Sequence, residues 1–301
     1  MLPHWSETLM NIGLGTLYGS ELRVLLQPNS IELIFLKTDF LDGFKSKHGF
    51  KSKIVKQEII DVKDETTDVG LLTKLLTKLS DTLQNPIWHK AAPVLVFSNT
   101  FMRYAVLPWN AEIKSKQERS AYLQHSFLQH FGVASKNWLL CEHIAGYGKA
   151  SIASGVDKDL LKQLEAVFEA TNMTLKASYP MLMVSANLAL AHIKQYKLPQ
   201  SFWLADVENN RLTIALIQDG NWKLVRNLQA EQDVGKQIAV AIKRESVVME
   251  TSDDTLPVLL HQLDAQLIHV PDTHTIHLQN PNSNQEQAPH FANLIQAKLA
   301  A

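Results

Sequence analysis

The chain holds a single cysteine, Cys141, among its 301 residues. One thiol excludes an internal disulfide and any cysteine-rich zinc site. Net charge is nearly absent: 29 Lys and Arg against 30 Asp and Glu leave a formal charge of −1. That balance gives no overall electrostatic footprint for nucleic acid, and no nucleic-acid partner is expected. No apolar run approaches the ~18 residues of a spanning helix, and none is expected to cross a membrane. The first residues, "MLPHWSETLMNIGLG", lack a basic segment followed by an apolar core. With the lone thiol, this places the expected compartment in the cytoplasm. Short-period repeats and low-complexity tracts are missing too.

What is present is ordinary globular composition, 46% hydrophobic and 20% charged, which supports a large core and two lobes. The densest basic stretch, "GFKSKHGFKSKIVK" (43–56), reads as a solvated loop or a local anion or lipid-headgroup patch.

"ELRVLLQPNSIELIFLK" (21–37) predicts two strands turning at Pro28 and Asn29, with "SKIVKQEIIDV" as a third. "VGLLTKLLTKLSDTLQN" (69–85) places five leucines on one helical face, ahead of Pro86. "APVLVFS" (92–98) has the continuous apolar character of a strand covered on both faces. "FMRYAVLPW" (101–109) is expected as its extended neighbour. A helix over 111–131 ends at Gly132, two short strands follow, and Asp157 caps a helix over 157–172. A helix over 181–196, three strands over 199–228 and a helix over 231–246 complete the regular part. "TLPVLLHQLDAQLIHV" suits either helix or strand. Two α/β halves, each opening on antiparallel strands, explain this order.

Three stretches then carry a resemblance. "VFSNTFMRYAVLPW", "ASYPMLMVSANLAL" and "FWLADVENNRLTIALIQDGNWKLVRNL" occur in the order found in the actin-like PilM family of type IV pili, its MSHA-type relatives and the cytoplasmic part of GspL from type II secretion. The resemblance implies an actin-like (ribonuclease H-like) two-lobed fold. It implies a first lobe over 1–178, with an inserted subdomain near 101–155, and a second lobe over 179–301. It also implies a cytoplasmic scaffold that receives the tail of an inner-membrane assembly protein and couples it to an assembly ATPase. Relatives with their own membrane anchor carry it after the actin-like part. This chain ends at "LIQAKLAA", so recruitment to the inner-membrane face is expected through a partner.

The wider superfamily binds ATP between its lobes, using two D-[IV]-G-x-x-x-[ST] hairpins and a glycine pair. Glycine lets backbone amides reach a phosphate, and the acids hold hydrated Mg²⁺. Laid on this chain, the first hairpin has Leu25 for the acid, Gln27 for the glycine and Glu32 further on. Pro28 in its turn has no N–H to donate. The second hairpin keeps Asp206 and Thr213 but has Glu208 for glycine. Unit charges ~4 Å apart repel by about 4 kcal/mol at an effective dielectric near 20. No glycine follows Gly235. The expectation is therefore a non-catalytic protein without a cofactor. Asp206, Asn209 and Thr213 are a remnant of the site, and a divergent ATPase or small-molecule kinase using ATP and Mg²⁺ is the alternative.

Other candidates have plainer explanations. Asp206 also reads as an acid ending a strand at a turn, and Thr213 as a β-branched strand residue. "LGTLYGS" (14–20) lacks the strand–helix setting of a phosphate loop. His269, His274 and His277, with Asp272 between, lack helical metal-ligand spacing. His125 and His130 lie five apart on a helix, off one face. Ser154 is outside any G-x-S-x-G, and Cys141 sits in an apolar strand. Trp203 reads as core. Arg103, Tyr104 and Trp109 are the expected partner-binding residues, since aromatics and arginine are enriched at interfaces.

Overall fold

The computed structural model describes residues 19–38, 52–62, 68–208, 210–249, 256–263 and 267–278. Asn209, "LGTLYGS" up to residue 18, and most of the 43–56 basic stretch lie outside these residues.

In chain order the elements are β1 (Ser20–Leu26), β2 (Ser30–Thr38), β3 (Ser52–Asp61), α1 (Asp68–Leu83), β4 (Ala92–Phe97) and β5 (Met102–Leu107). Then come α2 (Lys116–Phe131), β6 (Trp138–His143), β7 (Ser151–Asp157), α3 (Lys158–Ala170), β8 (Ala177–Pro180) and α4 (Met181–Tyr196). The chain closes with β9 (Phe202–Glu208), β10 (Arg211–Gln218), β11 (Asn221–Gln229), α5 (Val234–Val248), β12 (Val258–Gln262) and β13 (Thr275–His277).

Chain contacts group these into two compact units. The first comprises the described residues of 19–101 and 156–181. Its sheet runs β3-β2-β1-β4-β8, with β1, β2 and β3 antiparallel and β1, β4 and β8 parallel. Leu75, Leu76, Leu79 and Leu83 of α1 are buried, as their helical spacing predicts, whereas Leu72, expected on the same face, is partly exposed and Leu71 is buried in its place.

The second unit holds the described residues of 102–155 and 182–278. Its main sheet runs β11-β10-β9-β12-β13 and repeats that pattern: an antiparallel meander, then strands added in parallel. A smaller sheet ordered β5-β7-β6 carries α2, whose Leu123 and Phe127 pack on Ala105, Leu107 and Ala153.

Three expectations change on contact with the structure. β5 is not the neighbour of β4. Both edges of β4 are occupied, by β1 and by β8, so the chain leaves that sheet and β5 pairs with β7. The second helix starts at Lys116 rather than 111, because Ser115 and Glu118 form a capping box. Ser115 Oγ accepts from Glu118 N at 3.1 Å, and Glu118 accepts from Ser115 N at 3.0 Å. The ambiguous stretch after 255 contains a strand, β12. It lies between two parallel neighbours with Val258, Leu259, Leu260 and His261 buried, the burial that makes such strands continuously apolar.

Close packing on the far side of this sheet depends on one glycine. A Cβ built on Gly235 of α5 would lie 2.0 Å from the carbonyl oxygen of His269. The helix therefore approaches that segment at backbone distance, which only glycine permits.

Candidate functional site

The β9–β10 hairpin pairs Asp206 with Thr213 and Glu208 with Arg211. Strand alternation splits its residues between two faces. Trp203, Ala205 and Val207 join Ile238 and Ala241 of α5 in an apolar cluster. Asp206 and Glu208 consequently point to the opposite face. Parallel pairing with β12 sets His261 beside Asp206, so Thr213, Asp206 and His261 form a row across three strands.

All three are buried, Asp206 and Thr213 with no exposed surface. Ser185, in the buried first turns of α4, reaches into the row. Its Oγ donates to Asp206 Oδ2 at 2.6 Å and lies 3.1 Å from His261 Nδ1. His261 Nδ1 also lies 2.6 Å from Asp206 Oδ1. Both carboxylate oxygens are thus engaged by side chains of the protein itself. The buried Tyr104 lies close by. Burial raises its hydroxyl pKa well above the ordinary value, and the charges of Glu208 and Asp206 raise it further.

A serine, a histidine and an aspartate in contact invite comparison with a nucleophilic triad, but the geometry is different. In a triad one imidazole nitrogen faces the acid and the other takes the serine proton. Here serine and aspartate meet the same nitrogen, Nδ1, while Nε2 has no hydrogen-bond partner among the described residues. The serine proton goes to the carboxylate. The cluster is a packed polar knot, and a hydrated cation could reach Asp206 only by disrupting it.

The corresponding hairpin of the other unit, β1–β2, pairs Leu25 with Glu32. Leu25 is 1% exposed and brings no ligand atom. Gln27 N donates to Ser30 O at 2.9 Å, and Ser30 Oγ donates to Gln27 Oε1 at 2.8 Å, closing the turn on itself. Glu32 accepts from Gln57 Nε2 at 2.5 Å. Burial raises its pKa to about 7, against the lowering effect of that hydrogen bond.

The expected interface residues have different settings. Arg103 is half-buried and donates to Met102 O at 2.8 Å. Burial lowers its pKa, and neighbouring Arg211 lowers it further. Tyr104 is 6% exposed and Trp109 36%. The Trp109 ring meets Tyr147 edge-on, with centroids 4.8 Å apart.

His269, His274 and His277 line a cavity of about 420 Å³ with Leu267, Ile268 and Val270. Among the described residues no three His, Cys, Asp or Glu side chains come together to hold a metal ion. Asp272 is exposed in a left-handed turn, with φ 55°. Cys141 is half-buried on β6 and Ser154 is buried on β7. His125 and His130 are exposed on α2.

Ser185 and His261 escaped the sequence reading. The available signal was a polar residue directly following an apolar run: Ser185 after "MLMV" and His261 after "PVLL". Buried polar groups need partners, and two such orphans in separate elements can satisfy each other.

A five-stranded sheet that opens as an antiparallel meander and grows by parallel strands, occurring twice in one chain, defines an actin-like fold. Among solved structures, the PilM–PilN type IV pilus biogenesis complex matches with a TM-score of 0.65 at 9% identity, over 92% of this chain and 97% of that one. The cytoplasmic domain of EpsL, an inner-membrane component of the type II secretion system of Vibrio cholerae, gives 0.57 at 9% identity, over 94% and 95%. A Bacteroides thetaiotaomicron protein of actin-like ATPase fold and unknown function gives 0.52 at 13% identity, over 83% and 84%. No family model and no curated protein sequence matches the chain. Among the described residues no helix is long and apolar enough to cross a membrane.

Proposed function

We propose that this chain is a non-catalytic, actin-like scaffold of a type IV pilus or type II secretion-like assembly. It works at the cytoplasmic face of the inner membrane and binds the cytoplasmic segment of a membrane-anchored assembly protein. The carrying observation is the state of Asp206, the one acid kept at the two hairpin acid positions. It is fully buried and held at 2.6 Å by Ser185 and by His261. Leu25 at the matching place in β1 and Glu208 in place of glycine point the same way. Support for the assembly comes from the likenesses to PilM–PilN, named for type IV pilus biogenesis, and to EpsL, named as a type II secretion component.

Two measurements test the proposal. Equilibrium titration with a fluorescent ATP analogue and Mg²⁺ is expected to show no saturable binding at micromolar concentrations. Micromolar binding would overturn the scaffold in favour of a divergent ATPase or kinase. Affinity capture by the full chain from solubilised inner membranes, read by mass spectrometry, is expected to recover a pilus or secretion assembly component. Arg103→Ala is expected to weaken that capture.

A further inference from the structure

Within the small-sheet part of the second unit, two loops carry exposed aromatic residues. Trp109 follows β5, and Tyr147 lies between β6 and β7, flanked by Gly146 and Gly148, both at positive φ. Tyr147 is 90% exposed, Ile144 in the same loop 48% and Trp109 36%. Their rings meet edge-on at 4.8 Å, so the two loops present one aromatic tip rather than two separate residues. Lys114, Lys116 and Lys149 flank the rings in sequence and are exposed. None of the three lysines forms an ion pair among the described residues. The single acid in these loops is Glu112, also exposed. Lys116 opens α2, where the exposed Glu118 caps the first turn, so three lysines stand against two acids around the tip.

We propose that this tip contacts the anionic surface of a lipid bilayer, with Trp109 and Tyr147 at headgroup level and Lys114, Lys116 and Lys149 against lipid phosphates. Three features select lipid over a protein partner. Tryptophan and tyrosine combine an apolar ring with a polar atom, which suits the boundary between headgroups and acyl chains. A loop tip with a 90% exposed ring is convex, whereas protein hot spots lie in packed, water-excluding patches. The lysines complement the negative potential of an anionic leaflet, and each such cation near the surface strengthens binding about fivefold. This assigns Trp109 to lipid and leaves Arg103 to the protein contact. The inference does not depend on the scaffold function.

Co-sedimentation of the full chain with vesicles tests it. Vesicles of phosphatidylethanolamine with about 25% phosphatidylglycerol are compared with pure phosphatidylcholine. Binding is expected on the anionic vesicles alone and should weaken as salt rises. Tyr147→Ala is expected to reduce the partition coefficient about fivefold, and Lys149→Glu about tenfold or more. Arg103→Ala should leave it unchanged. Tyr147 supports no core, so its variant stays folded, which circular dichroism verifies. Absence of binding to the anionic vesicles overturns the proposal, as does binding that Tyr147→Ala leaves intact. So does a protein partner that needs Tyr147 while lipid does not bind.

Discussion

Glu32 and Asp206 are two buried carboxyls in matching hairpins, with opposite surroundings. Glu32 has a single amide donor among the described residues, Gln57, and its pKa stands at about 7 against an ordinary 4.5. Between those values the folded chain keeps a proton that the unfolded chain has released. Stability therefore falls as pH rises through this window and levels off above about 7. Glu32→Gln should remove the slope and stabilise the protein at pH 8 by up to about 3 kcal/mol, measured by urea unfolding at several pH values. Asp206 is held by Ser185 and His261, and Asp206→Ala removes a buried acceptor from both. The expected loss is about 3–5 kcal/mol. A change under about 1 kcal/mol would mark Asp206 as a free site carboxylate rather than a structural one. The acid of the β9–β10 hairpin is visible in the sequence. What it touches is not, because Ser185 and His261 lie 21 and 55 residues away, brought there by helix packing and strand register that no local pattern encodes.

At the scale of elements, helices were the most legible parts, since amphipathic spacing and caps are local. The α2 boundary was missed by five residues although its S-x-x-E signature, Ser115 to Glu118, was in view. Ser115→Ala should cost about 1 kcal/mol, checked by chemical unfolding. The place of β5 was illegible for a different reason. Its alternation predicts a strand, but partner choice depends on which sheet edges other segments have taken, and β8 comes 70 residues later in the chain. Gly235 is a further long-range case, explained by His269 O at 2.0 Å from a hypothetical Cβ. Gly235→Ala should force α5 off its seat and lower the urea midpoint, with a loss of about 1–3 kcal/mol.

For the molecule as a whole, ligand-linked stability gives the broadest test. A ligand at a hundred times its Kd raises folding stability by about 2.7 kcal/mol. In a chain of this size that is a Tm shift of several degrees. Millimolar Mg-ATP should shift the Tm by less than about 1 °C. The actin-like architecture was legible in the sequence because the order of three moderately specific stretches survives where individual motifs do not.

The knot of Ser185, Asp206 and His261 has a further consequence. Glycine placed at position 208 would leave Asp206 locked inside by Ser185 and His261. Freeing Asp206 to hold a cation would require Ser185 and His261 to change as well. A core built around a carboxylate in this way offers no single-substitution route to an open cation site.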